Sequence, residues 1–137
     1  MSELIFALLI ALSSPLPLLI VERFLPYPAI IEEVVKLIFV SLIISSSRKK
    51  LQYPYAFVVL AGLLFTFSES MFYLMNYFAT SQVERFLTRM SLTGTMHVAT
   101  CVVLYTFGLR GKFATVIGLM CAIAIHALFN SVLITLT

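Results

Sequence analysis

Of the 137 residues in this chain, 61% are hydrophobic and only 11% are charged, so it lacks the polar side chains needed to cover a soluble domain. Its formal charge of +3 comes from basic residues scattered at the ends of apolar segments. That pattern is typical of cytoplasmic loop anchors and not of a nucleic-acid-binding patch. The composition excludes a soluble protein and a nucleic-acid partner, and it predicts the lipid bilayer as the main solvent.

Five apolar windows are long enough to cross a membrane as helices, which takes about 20 residues each. They lie at residues 3–22, 28–46, 54–79, 90–108 and 113–136. The windows are apolar on every face, whereas the strands of a membrane barrel alternate apolar and polar residues. The sequence therefore predicts an all-α, polytopic membrane helix bundle of about five transmembrane helices, forming one domain over residues 1–137.

Prolines mark the first two windows. Pro15 and Pro17 lie in the middle of the first window, where they are expected to kink or split the helix. Pro26 and Pro28 mark the start of the second window, because proline is favoured in the first turn of a helix.

Basic residues predict the orientation of the bundle, since Lys and Arg are retained on the cytoplasmic side. The second and fourth connections hold Arg48, Lys49, Lys50, Arg110 and Lys112, whereas the first and third hold mixed charges. This distribution predicts a multi-pass protein of the cell membrane with its N-terminus in the cytoplasm and its C-terminus outside.

Ionisable and amide side chains lie inside the apolar windows, where each charge costs about 2.5–3.5 kcal/mol and is a functional-site hypothesis by default. They are Glu32, Glu33 and Lys36 in the second window, Glu69 and Tyr73 in the third, His97 in the fourth, and His126 and Asn130 in the fifth. At a rise of about 1.5 Å per residue, the acidic, histidine and amide groups fall at a similar depth in the outer half of the membrane. This agreement predicts one shared cavity.

The spacing within the second window separates its two carboxylates. Lys36 is four residues after Glu32 and three after Glu33, so it can pair with either. Adjacent helical residues point about 100° apart, so the two carboxylates are not expected to aim at one point. One is expected to be catalytic and the other to orient or pair.

The set contains what water-mediated peptide cleavage requires: a carboxylate to accept a proton, imidazoles, and an amide donor for an oxyanion. In the resulting hypothesis Glu32 or Glu33 activates water with help from Glu69. His97 and His126 bind a metal or donate protons.

Asn130, one turn after His126, is expected to stabilise the oxyanion. By contrast, Cys101 is expected to pack in the core, and Arg89 is expected to be an interfacial residue whose charged end reaches water.

Two other functions stay open at this stage. Chains of Glu and His also form proton relays in small transporters, which would require polar residues leading to both membrane faces. In a non-catalytic scaffold, the same polar groups would only fix helix packing.

The motifs IEEVVK (31–36), FSESMFY (67–73), RMSLTGTMH (89–97) and HALFN (126–130) resemble the PrsW family of intramembrane proteases, within the CAAX-protease-like superfamily. The resemblance spans core motifs over residues 29–131. It implies an endopeptidase that cleaves a single-pass, membrane-anchored protein substrate, with Lys36 and Tyr73 as supporting residues. Glu69, His97 and His126 are the candidate ligands for a suspected zinc ion. A metal-free mechanism with glutamate-activated water remains the alternative.

Overall fold

The computed structural model describes residues 2–21, 24–25, 27–49, 51–79 and 81–136, and its described side chains exclude 75–76, 78–79 and 133–136. Within these ranges the chain forms six helices and no strand, which confirms the all-α prediction. The helices are α1 (Ser2–Ser13), α2 (Pro15–Val21), α3 (Pro28–Arg48), α4 (Pro54–Ala79), α5 (Val83–Gly108) and α6 (Lys112–Leu136).

The proline predictions agree with the described helix boundaries. Pro15 is the first residue of α2, and α1 and α2 meet at an angle of 45°. A proline inside a helix lacks the amide hydrogen for the next backbone bond and clashes with the preceding turn. Pro28 begins α3, as expected for a residue whose missing amide hydrogen is not needed in the first turn. Pro26 and Lys50 lie outside the described residues.

One predicted boundary is wrong, because α5 begins at Val83 and not near residue 90. The polar residues Glu84, Arg85 and Thr88 suggested a connection, but they are exposed on the first turns of the helix. Glu84 lies in the first turn, where the helix dipole favours a negative charge. Polar residues keep their part of a helix out of the apolar core of the bilayer. They do not prevent the helix from continuing toward the headgroups.

Among the described residues, three stretches are long and apolar enough to cross a membrane: Pro54–Leu74, Val83–Gly108 and Lys112–Val132. A fourth span results if α1 and α2 form one bent segment. The 21-residue helix α3 has sufficient length but carries Glu32, Glu33 and Lys36 in its first half. The predicted count of about five spans is therefore not confirmed. The single-domain organisation stays a prediction.

Large apolar side chains cover much of the described surface. Phe6, Leu16, Phe113, Met120 and Leu128 are each at least 60% exposed. Water disfavours such a surface, whereas lipid tails do not. The outward faces of the helices are thus suited to contact with lipid.

Helix α3 is the centre of the bundle, since it packs against each of the other five helices in the described chain. Its second half buries Phe39, Val40 and Ile43 completely in the apolar core. Its first half buries Glu32, Glu33 and Lys36. The bundle therefore has an apolar half and a half in which charged groups are enclosed by neighbouring helices.

Candidate active site

A cavity of about 240 Å³ lies at the polar half of the bundle, between α2, α3, α4, α5 and α6. Its polar lining consists of Glu32, Glu69, Tyr73, Arg89, Thr93, His126 and Asn130. Five of the eight site residues predicted from the sequence therefore face one space. The other three, Glu33, Lys36 and His97, are fully buried behind its wall.

Glu33 is the hub of a buried hydrogen-bond network. Lys36 Nζ donates to Glu33 Oε1 over 2.5 Å, and the same oxygen lies 2.7 Å from His126 Nδ1. Lys36 Nζ also donates to Thr100 Oγ1 over 3.3 Å. A buried carboxylate requires a compensating charge and hydrogen bonds. Both contacts here use Oε1, whereas Glu33 Oε2 is buried with no hydrogen-bond partner among the described residues. Lys36 supplies that charge, and Glu33 in turn fixes the ring orientation of His126.

His97 is held by a second carboxylate, on α4. Its Nε2 lies 2.6 Å from Glu69 Oε2, and its ring packs edge-on against Phe65 with a centroid distance of 4.9 Å. The imidazole is fully buried, whereas the Glu69 side chain is 20% exposed and lines the cavity. Glu69 therefore connects a buried histidine with the open space of the cavity.

The side chains of the two histidines lie close to that of Glu32. One ligand atom from each of Glu32, His97 and His126 lies within 4.8 Å of the other two, and all three residues are buried. His126 Nε2 is 3.8 Å from Glu32 Oε2. This group differs by one residue from the ligand set suspected from the sequence, because Glu32 takes the place of Glu69. Glu69 instead contacts Nε2 of His97.

Each ring nitrogen has a separate role in this arrangement. An ionised carboxylate only accepts hydrogen bonds, so His126 carries its proton on Nδ1 and His97 carries its proton on Nε2. The other two nitrogens then present lone pairs, and His97 Nδ1 is buried with no hydrogen-bond partner in the described part of the chain. Two imidazole lone pairs with a carboxylate form a ligand set used by zinc hydrolases. The carboxylates behind both rings are the usual outer partners of metal-bound histidines. The residues fit a zinc ion.

The remaining predicted residues lie on the cavity wall. Asn130 is half-buried on α6, one helical turn beyond His126. Tyr73 lies on α4, one turn beyond Glu69, and its ring is 4.4 Å from the guanidinium carbon of Arg89. Arg89, which was predicted to be an interfacial residue, also lines this cavity.

Thr100 is a site residue that the sequence analysis missed. It is fully buried, accepts a hydrogen bond from Lys36, and donates to the His97 carbonyl oxygen over 3.1 Å. The hydroxyl thus joins the Lys36 and Glu33 pair to the helix that carries His97. Its position three residues after His97 places it on the same face of α5, and that spacing was available in the sequence.

Apolar helices that enclose paired carboxylates and imidazoles around one cavity define a membrane-embedded hydrolytic site. The comparison with protein families supports this class directly. Residues 23–137 match the family described as PrsW family intramembrane metalloprotease, which is well over half of the chain. The chain belongs to the PrsW family, and it is a multi-pass membrane protein of the protease class.

Neither a curated protein nor a solved structure matches the chain significantly. The family match begins after α1 and α2, although α2 supplies Pro15, Leu18 and Leu19 to the cavity wall.

Replacing Thr100 with valine is expected to lower kcat/KM for peptide cleavage by about 10-fold. A buried ammonium group that loses one acceptor costs about 1–3 kcal/mol, and a displaced Lys36 weakens the hold on Glu33. Thr100→Ser keeps the hydroxyl and is expected to retain most of the activity. Thr106→Val is the matched control, because among the described residues the Thr106 hydroxyl donates to the Val102 carbonyl oxygen on the same helix and to no other group. Equal losses in the serine and valine variants would assign Thr100 a packing role alone.

Proposed function

We propose that this protein is a zinc-dependent intramembrane endopeptidase that hydrolyses a peptide bond of a single-pass membrane protein. The observation that carries the proposal is the pair of histidines, each held by a carboxylate and both directed with Glu32 around one buried point. Membership in the PrsW family supports peptide hydrolysis as the reaction.

In this proposal Glu32, His97 and His126 hold the zinc ion. Bound zinc supplies Lewis-acid polarisation of the scissile carbonyl and makes water more acidic. Glu33 keeps His126 in the tautomer whose Nε2 lone pair is available, and Glu69 does the same for the Nδ1 lone pair of His97.

Glu69 is the proposed general base. It is the most exposed of the three site carboxylates, with its side chain at 20% against 11% for Glu32 and 0% for Glu33. Its hydrogen bond to His97 uses Oε2, and its other oxygen accepts the proton of the attacking water. The same carboxyl group then delivers that proton to the leaving amine.

Asn130 is the proposed oxyanion donor. Its amide lies on the α6 wall of the cavity, one helical turn beyond His126. An amide donor aimed at the oxygen of the scissile carbonyl strengthens its hydrogen bond as negative charge develops there. A cavity of about 240 Å³ also leaves room for a water molecule, which takes about 30 Å³, beside a peptide group.

The cytoplasmic N-terminus remains part of the proposal, and the contacts at the apolar end of the bundle support it. Lys49 Nζ, next to the end of α3, lies 2.7 Å from Glu3 Oε1 at the start of α1. Tyr105, near the end of α5, donates to Ser47 Oγ over 3.0 Å. The basic residues of the two connections thus share one end of the bundle with the start of α1. The positive-inside rule then places that end in the cytoplasm, with α3 as a further span.

A cysteine introduced at Ser2 is expected to react with an impermeant maleimide only after the membrane is opened.

Cleavage of labelled single-pass membrane peptides by the full chain in lipid nanodiscs tests the proposed reaction. The wild-type protein is expected to cleave at least one peptide of a diverse panel. A zinc chelator is expected to reduce cleavage to background, and added zinc is expected to restore it. Cleavage that persists in chelator, by a protein free of metal, would overturn the zinc-dependent mechanism in favour of glutamate-activated water. A panel left uncleaved by zinc-loaded protein would count against proteolysis.

A further inference from the structure

Arg89 is a charged side chain of the cavity wall that the proposed hydrolysis does not use. It is half-buried, and its guanidinium carbon lies 4.4 Å from the centre of the Tyr73 ring. A guanidinium group stacked on an aromatic face keeps its N–H donors free in its own plane. The stacking therefore holds the group in place without occupying its hydrogen bonds.

Arg89 forms no ion pair within 4.0 Å among the described residues, although its charge interacts with Glu69 at longer range. Glu69 lines the same cavity, yet its ion-pair contact is with His97, and no carboxylate lies within 4.0 Å of Arg89 in that part of the chain. A second, independent donor lies close by. Thr93 is 93% buried and lines the cavity, and its hydroxyl oxygen has no hydrogen-bond partner in the described chain.

The two donors lie on the same face of α5 as His97. Arg89, Thr93 and His97 follow one another at intervals of four residues, so successive side chains stand about one helical turn apart. The eight residues from Arg89 to His97 correspond to a rise of about 12 Å. An extended peptide covers about 3.3–3.6 Å per residue, so this distance corresponds to about three or four residues.

From these positions we infer a substrate subsite, formed by Arg89 and Thr93, that binds the carboxylate of an acidic substrate residue. Arg89 binds both carboxylate oxygens with its planar fork, and Thr93 donates its hydroxyl hydrogen to one of them. The acidic residue lies about three or four positions from the scissile bond. This inference rests on the proposed function, because it deepens the substrate class of the same cavity.

Binding of paired peptides tests the subsite without requiring cleavage. A labelled transmembrane peptide carries one Asp, moved through successive positions, and each peptide has an Asn twin. Affinity is measured by fluorescence anisotropy in nanodiscs of neutral lipid, with Glu33→Gln as the common background for both twins. This change weakens the proposed zinc site and so slows cleavage of the peptides, while Glu33 itself lies behind the cavity wall. At the best position the Asp peptide is expected to bind at least 10-fold more tightly than its twin. Equal binding of the twins at every position would overturn the inference.

Three variants then assign the preference to the subsite. Arg89→Gln is expected to abolish the difference between the twins, whereas Arg89→Lys keeps the charge without the fork and retains a smaller part of it. Arg85→Gln is the matched control, because Arg85 is exposed and donates to Gln82. It is expected to leave the preference unchanged. A preference that survives Arg89→Gln would place the acidic side chain elsewhere and overturn the inference.

Phosphate from anionic lipid is the competing source of negative charge. If phosphatidylglycerol changes peptide binding only when Arg89 is present, and the twins bind equally, the group binds a headgroup and the inference fails. Failure of proteolysis looks different, because peptides that bind with an Asp preference but are never cleaved by wild-type protein would retain the subsite and remove the proposed reaction.

Discussion

Glu69→Gln is expected to lower kcat by about 10²- to 10⁴-fold, the contribution typical of a positioned general base. Glutamine retains an oxygen that accepts the hydrogen bond from His97, so the histidine stays in place while the proton acceptor is lost. KM and zinc content are therefore expected to stay close to those of the wild type. Steady-state cleavage of a labelled membrane peptide, with metal analysis of the same preparation, measures both quantities.

Glu84→Gln is the matched control, since it makes the same substitution at an exposed glutamate of α5. It is expected to leave kcat unchanged. Full activity in Glu69→Gln would remove Glu69 from the mechanism and leave Glu32 as the only carboxylate on the described cavity wall. A variant that loses zinc together with activity would instead make Glu69 a metal-site residue.

His126→Ala is expected to reduce bound zinc from near one ion per chain to background, because it removes one of three protein ligands. His97→Ala is expected to give the same result. Glu33→Gln leaves both rings present but weakens the orientation of His126, and outer partners of this kind typically change metal affinity by about 10- to 100-fold. Elemental analysis of detergent-purified protein, with a zinc titration for Glu33→Gln, measures these effects.

Cys101→Ala is the control for the metal experiment. Cys101 is a buried metal-ligating residue type one turn from His97, but it lies outside the group of three ligands. It is expected to retain zinc. Unchanged helical circular dichroism and elution volume separate loss of metal from loss of fold. Wild-type protein that cleaves peptides without any metal would mean a glutamate-activated water, with the histidines as proton donors.

The helices and two of their boundaries could be predicted from local sequence patterns. The break at Pro15 and the start of α3 at Pro28 follow from the geometry of proline, and the long apolar windows required helices. The start of α5 was missed because a hydropathy pattern reports where lipid ends, not where backbone hydrogen bonding ends. Exposed charges such as Glu84 are compatible with both a loop and a helix.

The candidate site, like the fold, could be predicted from the sequence only where it depends on local spacing. The spacing of Glu32 and Glu33 indicated two directions, and the structure turns Glu32 to the cavity and Glu33 to Lys36 and His126. Which carboxylate faces which histidine depends on the packing of four helices, and no spacing within one helix contains that information. The contact of Glu69 with His97 is of this kind, since it joins residues on different helices.

The central position of α3 has a consequence for how the protein is made. As a proposed span, α3 carries three charged residues, each costing about 2.5–3.5 kcal/mol at bilayer depth, so its first half is a poor membrane segment on its own. Lys36 and Glu33 offset one another, but Thr100 and His126 lie 64 and 93 residues further along the chain. During synthesis these partners emerge from the ribosome well after α3. Stable insertion of α3 is therefore expected to wait for α5 and α6, so a nascent chain exposes no assembled candidate site to neighbouring membrane proteins until α6 has been made.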